Sequence, residues 1–430
     1  MSDTRTTIRD RLLSDENIFL AIYLVNSYIQ NKELLSLSDQ EELVRLKQVF
    51  DVKHVEKAIA IVRLRLSELL DGEEEFFEIS VYFKPKKYQE GRTVFRPLHT
   101  APLYDQIAMI AMLQVLVYDV SPQGKLLPSE LSRLLPSNFY GNIVSYDGKH
   151  LFRPWQDQYQ EYVSTANNFL SQYSETREYD YEVDLDLENF FPSINPRVLY
   201  PFICSKLPLR WQNDPDILKI LEKLLIFRLC QLDETEIGWY LQSEERERDQ
   251  RCGYAKGLPQ GLPHTYFLAN LFMLLVHEVY DNLFRGSMVF YVDDSVIFTN
   301  GTDGSLNEAN FTAYIEVLNQ NISEAERRIL RRPDHTLTVP EDFCYSNADF
   351  GVKIHTDSKS TCTPIPDAKQ NSGEIYLYGL SRETSNISFD MYTSFSENEI
   401  SMMLSRVRSI MEIISKELKR IGEEETMGAY

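Results

Sequence analysis

Two adjacent carboxylates interrupt an apolar stretch of the chain. Asp293 and Asp294 separate the run 288–290 from the run 295–298. Short apolar runs on either side of a polar pair are typical of a β-hairpin, and Asp suits the turn because its side chain bonds to nearby backbone. A simple turn explains the pair by itself, so a second acidic element is needed before the pair indicates chemistry.

A second acidic element lies at the end of another predicted strand. Residues 182–187 alternate acidic and apolar side chains, and Asp186 lies near the end of this run. If the strand lies beside the hairpin, Asp186, Asp293 and Asp294 meet and form an oxygen cage for hard divalent cations. Two ions about 4 Å apart can hold the attacking and leaving oxygens of a phosphoryl transfer. The pattern predicts two Mg²⁺ ions, for which Mn²⁺ can substitute.

A glycine-rich loop lies between the two acidic elements. Residues 257–263 contain two glycines and two prolines and lead directly into a predicted helix at 262–283. Glycine lets backbone approach a ligand closely, and a helix N-terminus favours phosphate. Most such loops only connect elements, so the position between the acids is what makes this loop a candidate.

The remaining pattern predicts a mixed helix and sheet fold. Residues 1–70 are expected to be helical, and 76–98 to form a hairpin with a basic tip. An ordered, aromatic loop is expected at 138–155. Further helices are expected at 105–118, 157–173, 217–230, 316–330 and 397–421, and a short strand at 375–380.

Bulk properties limit the function classes. The chain has 430 residues, 43% of them apolar, which suffices for two or three cores. No apolar run is long enough for a membrane span, and the polar first ten residues do not resemble a signal peptide. Five widely separated cysteines suit neither a disulfide framework nor a zinc site, so we expect a cytoplasmic protein. The net charge of −21 is unusual for a nucleic-acid protein, although basic clusters are present.

Taken in order, three motifs resemble the successive palm motifs of reverse transcriptases. They are Asp186 followed by Phe190 and Phe191, the loop 257–261, and the sequence Tyr-Val-Asp-Asp at 291–294. Weaker similarity extends over about 76–380. The resemblance implies an α/β (α+β) right-hand polymerase fold. Its expected parts are a helical N-terminal region (1–75), fingers (76–180), a palm (181–380) with a helical insertion at about 201–250, and a short helical thumb-like region (381–430).

The resemblance also implies roles at the metal site. Asp186 and Asp293 would hold both ions, assisted by Asp294 and by the backbone carbonyl of Leu187. Asp184 lies further back on the same strand and is expected to be structural or a distant electrostatic helper.

Other matching residues are expected to contact the nucleotide. Phe191 falls on the position that blocks a ribose 2′-hydroxyl, and Gln260 would steady the template base or the new pair. Lys359 would protonate pyrophosphate, with Lys353 as the competing candidate. The residues expected to neutralise the triphosphate are Lys84, Lys86, Arg92 and Arg96; the alternative for them is a solvated basic turn.

Two further segments, 138–142 and 151–155, resemble bacterial anti-phage reverse transcriptases. This implies deoxynucleoside triphosphates as substrates, a DNA product, a dedicated non-coding RNA as template and a homo-oligomer. The alternative in this group is template-independent synthesis primed by a tyrosine of the protein, for which Tyr430 is a candidate. About 50 residues follow Leu380, so no RNase H or endonuclease domain is expected.

Two other classes compete with a polymerase. Nucleotide cyclases share a palm-like sheet, but their acids follow a Gly-Gly pair, whereas Tyr291 and Val292 precede the acids here. A catalytically silent RNA-binding scaffold would not need all three acids, and all three are present.

Overall fold

The structure is a computed structural model that describes most of the chain. The described residues are 7–367 apart from 29–34, 48–50, 73–74, 90–91, 241–252, 303, 332 and 358, together with Arg408 and Ser415. Helices and strands are mixed along the chain, as the sequence predicts. Among these residues, no helix has both the length and the apolar character needed to cross a membrane.

The helices and strands follow one another in this order. The helices are α1 (Ile8–Leu12), α2 (Asp15–Tyr28), α3 (Leu37–Leu46), α4 (Val52–Asp71), α5 (Leu103–Val117), α6 (Trp155–Thr176), α7 (Phe190–Ser193), α8 (Pro196–Lys206), α9 (Pro215–Lys223), α10 (Glu234–Tyr240), α11 (Thr265–Phe284) and α12 (Phe311–Arg331). The strands are β1 (Phe77–Gln89), β2 (Arg92–Thr100), β3 (Tyr118–Val120), β4 (Leu126–Pro128), β5 (Phe139–Tyr140), β6 (Tyr181–Leu185), β7 (Phe227–Leu229), β8 (Ser287–Tyr291), β9 (Asp294–Thr299) and β10 (Thr361–Pro364).

A five-stranded sheet, the central sheet, has the order β10–β6–β9–β8–β5. Its neighbours are antiparallel except for β5, which pairs in parallel with β8. Because side chains alternate along a strand, the two faces bury different residues. Val289 and Val296 face helix α6, whereas Phe290 and Ile297 join the main core with α11. Within the described residues both faces of the central sheet are therefore covered, and Asp294 at the start of β9 is exposed.

A second sheet, the hairpin sheet, has the order β2–β1–β7. Strands β1 and β2 form a long hairpin in which Lys84 lies opposite Arg96. One face of the hairpin is covered by Trp239 of α10, whose ring lies 4.5 Å from that of Phe95 and 5.4 Å from that of Phe83. Side chains alternate, so Lys84 and Arg96 are on the other face.

Helix α5 joins the N-terminal helices to the rest of the core. It is apolar on all sides, and all of its residues except Tyr104 and Asp105 are buried. A helix with no polar face must be surrounded by protein. Helices α2 and α4 provide part of that cover.

Most of the predicted elements are confirmed in the described residues. The N-terminal helices, the 76–98 hairpin, the ordered loop and the hairpin at 288–300 all form, with ends shifted by a few residues. The helix expected at 217–230 is wrong in its second half. It ends at Lys223, and 227–229 form β7, because the exposed edge of β1 provides hydrogen-bond partners that a local pattern does not reveal. The elements expected at 375–380 and 397–421 lie outside the described residues, apart from Arg408 and Ser415.

The cysteines depart from one expectation. Cys204, Cys230 and Cys362 carry free thiols, whereas Cys344 is disulfide-bonded. One bonded cysteine is not a disulfide framework, but a disulfide is unusual in the cytoplasm that the sequence predicts. Separation along the sequence does not determine distance in space, which is why spacing alone could not exclude a bond.

A buried carboxyl on α12 gives a prediction about pH and stability. Glu326 is 7% exposed, accepts a 3.4 Å hydrogen bond from the Val352 N–H, and has its pKa raised to about 7 by burial. The unfolded chain loses this proton near pH 4.5, so folding stability falls as pH rises from there to about 7. Glu326→Gln keeps an acceptor for Val352. We expect it to be more stable than wild type by about 2–3 kcal/mol above pH 7 and equally stable near pH 4.

Urea unfolding at both pH values measures this difference. Glu324→Gln on the same helix is the matched control, because Glu324 is exposed. If the stability gained by Glu326→Gln does not change with pH, the raised pKa of Glu326 is contradicted.

Candidate active site

The sheet register brings the predicted acids together. Leu185 of β6 pairs with Ser295 of β9, so Asp186, the next residue, lies beside Asp294. Tyr291 pairs with Asp294, which leaves Val292 and Asp293 as a two-residue turn. Val292 adopts a left-handed conformation with φ 57°, which is costly for a β-branched residue. Such strain is found at functional sites more often than elsewhere.

The charges of these acids act on one another. Burial, followed by the charges of Asp293, Asp186 and Asp184, raises the pKa of Asp294 above its usual range. Burial and the charge of Asp186 also raise the pKa of Asp293. Asp294 also keeps an exposed surface, and water there weakens the effect of burial relative to that of the three neighbouring carboxylates. Asp184, which accepts a 3.3 Å hydrogen bond from the Thr361 hydroxyl, contributes from further back, as expected.

Lys359 and His355 complete this cluster. The Lys359 ammonium lies 3.0 Å from the Asp186 carboxylate and 2.9 Å from Nε2 of His355. On its other side, Nδ1 of His355 lies 3.6 Å from Glu188 and 3.7 Å from Asp357. The ammonium in contact with the acids is that of Lys359, which favours it over Lys353 for a role in the site. The sequence predicts no role for His355. The signal that could have identified it is the alternation at 352–355, where the buried Val352 and Ile354 alternate with Lys353 and His355.

The backbone carbonyl of Leu187 takes no part in the two hydrogen bonds that flank it. Leu187 pairs with Ile354 in an isolated antiparallel bridge. The two hydrogen bonds around it run from the Glu188 N–H to Lys353 and from the His355 N–H to Asp186. Neither bond uses the carbonyl of Leu187.

The basic residues of the hairpin sheet act on the same cluster. The charges of Arg96 and Lys86 lower the pKa of Asp293, which opposes the effect of Asp186. Both side chains are exposed, and Lys84 lies opposite Arg96 in the ladder. Arg92 pairs with Gln89 near the hairpin tip; its side chain is outside the described set. Cations from a second sheet thus face the carboxylates of the first.

Phe191 is held by the glycine-rich loop and by aromatic rings. It keeps 6% of its surface, against 2% for Phe190, and its ring meets that of Tyr266 edge-on at 5.7 Å. The Leu258 N–H donates to the Phe191 carbonyl at 2.9 Å. Gly257 has φ +66°, and a Cβ there would lie 2.6 Å from the Pro192 carbonyl oxygen. The glycine was expected to approach a ligand, whereas in this structure it lies against the backbone of 191–192.

Strand β5 supports the β8–β9 hairpin from the side away from β6. Tyr140 lies beside Tyr291, and the buried Asn270 of α11 donates to the carbonyls of Gly141 (3.1 Å) and Asn142 (3.4 Å). The aromatic motif at 138–142 therefore belongs to the central sheet, next to the Asp293 turn.

The chemistry of the donor set fits a hard divalent cation. All of its side-chain donors are carboxylate oxygens, the type that Mg²⁺ prefers. The pKa values of Asp293 and Asp294 are raised first by burial and then by the neighbouring carboxylates, and a cation would relieve that repulsion. Within the described residues, no three His, Cys, Asp or Glu side chains form a preassembled metal-ligand group. The support for a metal site is therefore electrostatic. The Lys359 ammonium already neutralises part of the negative charge of the carboxylates.

Two candidates could not be located. Tyr430, the candidate priming residue, and the strand expected at 375–380 lie outside the described residues.

The comparisons with known proteins give no assignment. No protein-family model matches the chain. The search of curated proteins also finds no match. A function for this chain therefore rests on the residues and geometry of the site.

The contact of Gly257 with 191–192 gives a prediction. We expect Gly257→Ala to lower the free energy of unfolding by about 3 kcal/mol or more, since the methyl group collides with backbone and the left-handed conformation is strained. Gly148→Ala is the matched control, because Gly148 has φ +70° with nothing within 4 Å of a Cβ. The control should lose only about 1 kcal/mol. If urea unfolding shows the same loss of unfolding free energy for Gly257→Ala and Gly148→Ala, the loop does not hold Phe191.

Proposed function

We propose that this protein is an RNA-directed DNA polymerase of the reverse-transcriptase type. The observation that carries the proposal is the meeting of Asp186, Asp293 and Asp294 at the strand ends of the central sheet, opposite Arg96 and Lys86. Paired acids facing a basic hairpin suit the joining of a triphosphate to a hydroxyl. The fingers and palm named from the sequence correspond to the hairpin sheet and the central sheet in this proposal.

The carboxylates have a defined task in this reaction. Asp186, Asp293 and Asp294, with the carbonyl of Leu187, would hold two Mg²⁺ ions. When bound, the ions would activate the primer hydroxyl and stabilise the charge on the transferring phosphorus. Asp184 would add negative potential without contacting the substrate.

Basic residues would bind and orient the triphosphate. Arg96 and Lys86 are exposed and act on Asp293, so a triphosphate between them and the acids would gain charge-assisted hydrogen bonds. Lys84 and Arg92 would add to this on the same hairpin. Lys359 already contacts Asp186 through its ammonium, which suits a donor of a proton to the leaving pyrophosphate.

The proposed substrates are deoxynucleoside triphosphates, with Phe191 excluding the ribose 2′-hydroxyl and Gln260 steadying the template base. The proposed template is a non-coding RNA, the product is DNA, and the wider role is bacterial anti-phage defence by a cytoplasmic homo-oligomer. Template-independent, protein-primed synthesis is the alternative within this family. The acids, the opposed cations and the Lys359 contact all favour catalysis over a silent scaffold.

Removing the turn acids tests the polymerase proposal. Asp293→Ala with Asp294→Ala should lower deoxynucleotide incorporation at least about a thousandfold, because the metal ligands are lost. Folding stability should be unchanged or higher, since mutual repulsion is also removed. Incorporation of labelled nucleotide with Mg²⁺ is the measurement, on protein purified with its bound nucleic acid.

Asp281→Ala is the control, because Asp281 is an exposed acid in the last turn of α11. Undiminished synthesis by the double variant would eliminate the polymerase proposal.

Replacing Phe191 tests the sugar selection. Phe191→Ala should raise the use of ribonucleotides relative to deoxynucleotides by about tenfold or more, because a steric block is removed while the metal ligands remain. Phe191→Val, a smaller change, should show an intermediate ratio if the alanine variant folds poorly. Phe190→Ala is the matched control, since it removes the adjacent buried ring. If both positions change the ratio equally, or neither does, the block lies elsewhere.

A further inference from the structure

A buried histidine joins the two parts of the proposed nucleotide site. His99 lies near the end of β2, three residues after Arg96, and is 4% exposed. Its backbone N–H donates to the Gln260 carbonyl at 2.7 Å, and its ring Nδ1 lies 3.2 Å from the same oxygen. The strand that carries Arg96 is therefore bonded directly to the loop that carries Gln260.

Tyr240, the last residue of α10, determines which ring nitrogen of His99 carries the proton. The Lys256 N–H donates to the Tyr240 hydroxyl oxygen at 3.1 Å. The hydroxyl proton can then be donated to Nε2 of His99, 3.2 Å away. In the neutral ring, Nδ1 then carries the N–H proton, and the Gln260 carbonyl 3.2 Å away can only accept it. Burial lowers the pKa of His99 to about 4, which suits this neutral form.

The backbones on the two sides of this connection are in close contact. Gly261 has φ +114°, and a Cβ there would lie 2.5 Å from the His99 carbonyl oxygen and 3.0 Å from its nitrogen. Only glycine permits this approach. The glycine-rich loop and strand β2 therefore pack against each other in one fixed alignment, with Gly261 against His99.

The same short helix also fixes the hairpin at Phe95, the residue before Arg96. Trp239 lies against the rings of Phe95 and Phe83, and Tyr240 meets the ring of His99 edge-on at 5.8 Å. Two consecutive residues of α10 thus hold β2 on both sides of Arg96. No role in the reaction described above uses either of them.

We propose that His99 and Tyr240 are positioning residues that lock the Arg96 strand to the Gln260 loop and so set the affinity for the incoming nucleotide. This inference rests on the proposed polymerase function, because Arg96 and Gln260 are taken to contact the triphosphate and the new base pair. Neither His99 nor Tyr240 contacts the nucleotide. They act by holding, before binding, two groups that must both engage the same nucleotide.

The consequence is a specific kinetic effect. Groups that are held in place beforehand do not lose conformational freedom when the ligand binds, so affinity rises. Releasing the connection should raise the KM for deoxynucleotides and leave kcat nearly unchanged, because the carboxylates and Lys359 lie on other elements.

Three variants separate the contacts. Tyr240→Phe keeps the ring but removes the hydroxyl, and should raise KM about fivefold, the value of one net hydrogen bond. His99→Leu removes both ring bonds and should raise KM more than Tyr240→Phe. His99→Asn retains a donor near the position of Nδ1 but cannot reach Tyr240, so its KM should be close to that of Tyr240→Phe. Tyr23→Phe, at an exposed tyrosine of α2, is the control and should behave as wild type.

Steady-state incorporation of labelled deoxynucleoside triphosphates, at varied nucleotide concentration with excess Mg²⁺, gives KM and kcat, and thermal unfolding is measured alongside. The inference is supported if KM rises in the order Tyr240→Phe, His99→Leu while kcat stays within about twofold. It is overturned if wild type is active and KM is unchanged in these variants, or if kcat falls in step with melting temperature. A wild-type protein that incorporates no nucleotide overturns the proposed function itself, and this inference with it.

Discussion

The candidate site depends on three carboxylates of like charge that the fold holds close together. Asp186, Asp293 and Asp294 lie at adjacent strand ends, and their repulsion opposes folding unless cations balance it. The protein provides part of that balance through Lys359 on one side and Arg96 and Lys86 on the other. In the proposed function, divalent cations with a bound triphosphate would relieve this repulsion.

The rest of the fold holds this cluster in place. Within the described residues, helices α6 and α11 cover the two faces of the central sheet, and Asp294 at the start of β9 is exposed. Strand β5 supports β8 beside the strained turn at Val292. The loop with Gly257 and Gly261 contacts the Phe191 backbone at one end and His99 at the other. Gly257 thus fixes the loop against α7, and Gly261 fixes it against β2.

Net charge is a poor guide to this protein's partners. The chain carries −21, yet the exposed side chains around the cluster on the hairpin sheet include Lys86 and Arg96. Phosphate responds to the local field rather than to the total. The acids concentrated at the strand ends contribute to the negative total, and divalent cations would neutralise them locally. An acidic chain and a phosphate-binding role are therefore compatible.

The sequence by itself determined the acids, the hairpin that presents Asp293 and Asp294, and most of the helices, because these depend on local periodicity and turn chemistry. Only the tertiary structure decided which elements meet. It ended α9 early and paired β7 with β1, brought Lys359 rather than Lys353 to Asp186, and connected His99 to Tyr240 across 141 positions. Contacts of this kind form between elements distant in sequence, where burial and unpaired backbone groups select the partner. No periodic pattern in the chain encodes that choice.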